Sequence, residues 1–130
     1  MNTASCQCGQ FKLAFAMAIE KTALCHCNSC RKRTGNTSGL QARLHEDDIT
    51  IDGEFRVYRR VADSGKVVEH FFCPVCGTTV FMKPEAMPGS VSLAAGTLDA
   101  DSIPAPTFSV YEERLQPWFA LPSTIEDHWD

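Results

Sequence analysis

Seven cysteines in three short groups constrain this chain more than any other feature. The groups are Cys6-Gln7-Cys8-Gly9, Cys25-His26-Cys27-Asn28-Ser29-Cys30 and Cys73-Pro74-Val75-Cys76-Gly77. An odd number cannot be consumed in internal disulfides. A chain of 130 residues buries a core of its own and needs no crosslinks merely to fold. The spacing within each group is instead that of metal ligands.

The C-P-x-C-G group is the clearest. It reads as a zinc knuckle, a tight turn that aims two sulfurs at one point. Pro74 sets the turn, and Gly77 lets the backbone curl so that N–H groups face the thiolates. A knuckle supplies two ligands and a structural zinc wants four, so Cys6 and Cys8 are the natural second pair. Cys25, Cys27 and Cys30 are then left over. Four plus three gives one closed zinc site and one site with an open position, the form a catalytic or ligand-binding zinc takes. Arg31, Lys32 and Arg33 follow Cys30 at the start of a short helix, where positive charge favours thiolates. Two other readings of the three-cysteine group stand beside this one: a structural zinc completed by His26 or a carboxylate, or a metal-free redox pair. His26 is expected to point away from the metal, as alternate residues do in an extended segment. His45, His70 and His128 read as ordinary polar histidines.

The rest of the chain reads as strands. Phe11, Leu13, Phe15 and Met17 form one face of a period-2 pattern. Further strands are expected at residues 39–44, 49–52, 55–60, 67–72, 78–82 and 91–95, with turn signals between them. Residues 56–60 and 66–70, joined across Ala62-Asp63-Ser64-Gly65, read as a hairpin. The only helix expected spans Asn28 to Thr34, capped by Asn28 or Ser29 and stopped by Gly35. A proline-rich tail after Gly96 is expected to lie over the body with one strand near residues 107–112. The expectation is a mainly-β, zinc-stabilised domain spanning residues 1–130, built of folded-over antiparallel sheets with one short helix.

Composition excludes some partners. Twelve Lys and Arg against sixteen Asp and Glu give a formal charge of −4, the wrong sign for a protein held to nucleic acid by phosphate contacts. The opening MNTASCQCGQ does not read as a signal peptide, and the longest apolar run is too short to span a bilayer. A cytoplasmic protein with no membrane or nucleic-acid partner is expected; its oligomeric state is not legible.

The ordered cysteine groups, with Arg31-Lys32 and Gly35 after the second and Phe72 before the third, resemble the glutathione-dependent formaldehyde-activating enzyme family, which includes the centromere protein V relatives. The resemblance continues through Gly96-Thr97-Leu98-Asp99, Trp118 and Leu121-Pro122, and so spans nearly the whole chain. It implies the Mss4-like fold. It also implies a structural zinc on Cys6, Cys8, Cys73 and Cys76 and a second, catalytic zinc on Cys25, Cys27 and Cys30. The implied activity is that of a carbon–sulfur lyase, adding the thiol of glutathione to formaldehyde to give S-hydroxymethylglutathione. The partners are then a small-molecule thiol and an aldehyde. In that reading Arg31 and Lys32 hold substrate carboxylates. The competing class is a non-catalytic, zinc-stabilised module that binds thiols or a protein partner.

Overall fold

The computed structural model describes residues 1–129. In chain order the elements are β1 (Asn2–Ser5), β2 (Lys12–Phe15), β3 (Thr22–Cys25), α1 (Asn28–Thr34), β4 (Gly39–His45), β5 (Ile49–Asp52), β6 (Arg56–Val61), β7 (Val67–Phe72), β8 (Thr79–Pro84), β9 (Ser90–Ala94), β10 (Phe108–Val110) and β11 (Asp127–Trp129). A three-stranded sheet runs in the order β1-β2-β5. An eight-stranded sheet runs β11-β10-β3-β4-β9-β8-β7-β6. The protein is mainly β with one α-helix, as the strand patterns led one to expect.

Alternation along the strands decides which face is buried. Phe11, Leu13 and Phe15 are fully buried and pack into one cluster with Leu44, Phe71, Val80, Phe81, Val91 and Leu93. The small sheet thus covers one face of the large one. Phe71 and Phe81 stack at 4.4 Å, and Phe11 lies 6.0 Å from Phe81. Burying each such side chain stabilises the fold by about 2 kcal/mol. Met17, expected on this face, is instead exposed, because β2 ends at Phe15 and the chain leaves the sheet there.

β6 and β7 form the expected hairpin, in a register that sets Arg60 opposite Val68 and Tyr58 opposite His70. Gly65 closes its turn at φ +87°, a backbone state that side chains with a Cβ resist. Side chains on paired residues share a face. Tyr58, Arg60, Val68 and His70 therefore stand together, on the face opposite to Phe71 and its core partners.

The antiparallel expectation needs correction at one edge. β10 pairs parallel with β3, and β11 pairs parallel with β10. The tail returns across the molecule to lie beside β3, so no tight turn joins the paired strands and the sheet is mixed. β1, β3 and β11 were not foreseen as strands. The helix occupies the expected residues, but its N-cap is Cys27 and not Asn28 or Ser29. Cys27 has extended backbone and its side chain accepts from Cys30 N–H, while Gly35 ends the helix at φ 69°.

A candidate metal and thiol centre

Backbone turns build the first cysteine cluster. After β1, Gly9 N–H donates to the Cys6 carbonyl at 3.1 Å and Cys6 N–H to the Phe11 carbonyl at 2.9 Å. The chain thereby curls around Cys6 and Cys8. Between β7 and β8, Gly77 N–H donates to the Cys73 carbonyl at 2.9 Å, and Gly77 itself takes φ +80°. The two turns meet, and the sulfurs of Cys6, Cys8, Cys73 and Cys76 all lie within 4.8 Å of one another.

The spacing tests the fit to a metal. Two sulfurs on one tetrahedral zinc, each bonded at about 2.3 Å, stand about 3.8 Å apart. Here Cys6 and Cys8 are 3.6 Å apart, and Cys8 and Cys73 are 3.7 Å apart. Donors surround the sulfurs as thiolates require. Phe11 N–H reaches Cys6 Sγ and Val75 N–H reaches Cys73 Sγ, both at 3.3 Å, and Gln10 Nε2 reaches Cys73 Sγ at 2.9 Å. The Thr78 hydroxyl, and then backbone N–H groups, push the Cys76 thiol down to about 5.

The second cluster sits where β3 gives way to α1. Cys25, Cys27 and Cys30 are buried, and their sulfurs lie within 4.8 Å of one another. Hydrogen bonds from Cys25 and then Cys30 push the Cys27 thiol down to about 2. Cys25 moves the other way, well above the ordinary thiol range, through its bonds to Cys27 and Cys30 and through burial. Three thiols packed this tightly hold one thiolate by donation from the others, the state a soft cation replaces when it takes all three sulfurs. Gln41 Nε2 donates to Cys30 Sγ at 2.9 Å. His26 stands apart from the cluster: it is buried, its Nε2 lies 3.1 Å from Ser109 Oγ, and its ring meets Phe119 edge-on.

The second cluster opens on a cavity with largely apolar walls. That cavity, about 210 Å³, is lined by Cys25, Cys27 and Cys30 and by the apolar side chains of Val68, Met82, Pro84 and Met87. Its floor is the face of β7, β8 and β9 turned away from the core, and Tyr111 and Arg114 from the tail close one side. Tyr111 packs against the cysteines with left-handed backbone, φ 58°, a strained state for a bulky residue. Arg31 and Lys32, the expected carboxylate partners, do not line this cavity. Arg31 Nη2 instead donates to Asn28 Oδ1 at 3.3 Å, and Lys32 is exposed.

The cations that do line it are Arg33, Arg60 and Arg114. Sequence reading missed Arg60, His70 and Arg114, because nothing local connects them to the cysteines. The foreseen β6–β7 hairpin was the available signal, since its register alone puts Arg60 and His70 on one face.

No curated protein shows significant similarity to the chain. Among solved structures, a crystal structure of a Rhodobacter sphaeroides protein is similar over 98% of this chain and 99% of its own, with a TM-score of 0.61 and 16% identity. That likeness extends to the fold. The family model of the glutathione-dependent formaldehyde-activating enzyme matches residues 1–114, which takes in both cysteine clusters and the wall of the cavity up to Arg114. The chain belongs to the glutathione-dependent formaldehyde-activating enzyme family.

Proposed function

We propose that the protein adds the thiol of glutathione, or of a similar small thiol, to formaldehyde or another small aldehyde, a carbon–sulfur lyase reaction run toward the adduct. The observation that carries this reading is the three-cysteine cluster opening on the arginine-lined cavity. Cys6, Cys8, Cys73 and Cys76 are assigned a structural zinc, and Cys25, Cys27 and Cys30 a second one. When bound at the second site, zinc would supply an open coordination position and lower the pKa of an incoming thiol.

The chain's own residues do the rest. Cys25, Cys27 and Cys30, all buried, fix that site in the lining of the cavity. Val68, Met82 and Met87 give it an apolar wall that limits water around the reacting groups. Gln41 steadies Cys30 through its amide. In the reaction the sulfur forms a bond to the aldehyde carbon, the carbonyl π bond opens onto oxygen, and the thiol proton ends on that oxygen. Holding both reactants in one small cavity makes this addition effectively unimolecular. Arg31 and Lys32 contribute positive charge on the helix beside the cluster. Seven unpaired cysteines suit a reducing compartment such as the cytoplasm. Among the described residues no helix is long and apolar enough to cross a membrane.

The test is the rate of hemithioacetal formation from glutathione and formaldehyde, followed by exchange NMR with the zinc-loaded protein. Acceleration lost in Cys27→Ser supports the reading. No acceleration by the parent protein, with glutathione bound or unbound, favours the non-catalytic module.

A further inference from the structure

We infer that Arg60 and Arg33 form the carboxylate-recognising end of the cavity and select an anionic thiol, with His70 as the residue that positions Arg60. This inference rests on the thiol-binding reading above and names the residues that choose among thiols.

The three arginines of the cavity are not equivalent. Arg114 is already engaged: its Nη2 lies 3.2 Å from Asp63 Oδ2, and its guanidinium sits 5.3 Å from the centre of the Tyr111 ring. Arg60 and Arg33 make no ion pair among the described residues. Arg33 Nη2 is buried and has no hydrogen-bond partner. A buried guanidinium nitrogen without an acceptor is costly, and because Arg33 lines the cavity its charge is there for an anion to offset. Arg60 Nε donates to His70 Nε2 at 3.2 Å, which ties down one edge of the guanidinium and leaves both Nη groups for a ligand. A planar guanidinium fixed in this way suits a carboxylate better than a free point charge would.

His70 can only play this part as a neutral acceptor. It is buried at 6% exposure, and burial, followed by the charges of Arg60 and Arg33, pushes it down to about 4. Cross-strand pairing places it on the same face as Arg60. Cys25, Cys27 and Cys30 line the same cavity, so a thiol bound there has its sulfur at the cysteines and its carboxylates within the reach of these arginines. A thiol without carboxylates leaves Arg33 unpartnered.

The test uses zinc-loaded protein and calorimetric binding of S-methylglutathione, whose blocked sulfur separates carboxylate recognition from metal coordination. The expected result is that the parent binds S-methylglutathione at least about tenfold more tightly than its diethyl ester, the scale of a lost charged hydrogen bond. Arg60→Met and Arg33→Met should each abolish that preference while keeping both metals. His70→Leu should raise KM for glutathione with kcat little changed, and His70→Gln, which keeps an acceptor for Arg60, should restore KM. Equal binding of acid and ester by the parent, or an undiminished preference in Arg60→Met, overturns the inference and leaves the thiol reading standing. A parent that binds neither S-methylglutathione nor glutathione overturns both.

Discussion

Cys27 Sγ accepts the backbone N–H of Cys30 at 3.3 Å, so one sulfur is at once the cap of α1 and a candidate metal ligand. The helix and the second cluster are therefore coupled through a single atom. Serine is a good N-cap and a poor zinc ligand; alanine is neither. Cys27→Ser should keep α1, retain about one zinc per chain and melt near the parent temperature, yet lose the zinc-dependent part of glutathione binding by calorimetry. Cys27→Ala should lose the same binding and a further ~1 kcal/mol of stability in denaturant titration. Unfolding of the serine variant would make the cluster a structural element.

The four-cysteine cluster should behave differently. It joins the turn after β1 to the turn between β7 and β8, so a metal held there would tie the small sheet to the large one. Metal bound at such a site contributes on the order of 10 kcal/mol, comparable to a whole domain's stability. Cys73→Ser and Cys8→Ser should abolish soluble folded protein, as judged by yield and circular dichroism. Parent-like melting of either variant would dissociate this cluster from folding.

Metal analysis of protein purified under reducing, chelator-free conditions should find between one and two zinc ions per chain. A chelator titration should remove one readily, with little change in circular dichroism, and the other only on unfolding. A content near zero would exclude both sites.

Gly53 should be irreplaceable. At φ +94° it already disfavours any side chain, and a Cβ there would stand 1.8 Å from the Gln10 carbonyl oxygen. Gln10 holds Glu54 through two hydrogen bonds and Cys73 Sγ through a third. Gly53→Ala should destabilise the protein by about 3 kcal/mol and weaken retention of the tighter zinc in the same titration.

His70 should leave a signature in the pH dependence of stability. Its folded pKa of about 4 lies below the ordinary histidine value, so between the two the unfolded chain binds the proton and the folded chain does not. Its contribution is present in full above the ordinary value and is lost as pH falls toward 4. Solvent screening at the cavity mouth keeps the loss on the order of 2 kcal/mol. His70→Gln should flatten the fall of melting temperature between about pH 6.5 and 4 relative to the parent. Parallel curves would show that His70 titrates as an exposed histidine does.

The two clusters were legible because ligand spacing is a local property, written within six residues at Cys25–Cys30 and within four at Cys73–Cys76. Most of the strands were legible from alternation. β3 was not, since all four of its residues are buried and a strand covered on both faces has no period to read. β11 escaped, and the parallel pairing of β10 with it, because three-residue parallel pairings carry almost no local signal. The cations that line the cavity were not legible for a related reason. Arg31 and Lys32 are near the cysteines in sequence, whereas Arg60 and His70 are near them only through the folded sheet.

The placement of β10 beside β3 also has a consequence for biosynthesis. Tyr111 and Arg114, which wall the cavity, lie about 80 residues beyond Cys30. At roughly 5–20 residues per second, the ribosome delivers them several seconds after the cysteines. Through that interval β3 is an open sheet edge, and the three thiols at its end have no covering strand. A metal entering the cluster in that period would not have to pass the cavity mouth, and would compete with oxidation of the exposed thiols. The late tail then closes over the centre as that competition has left it.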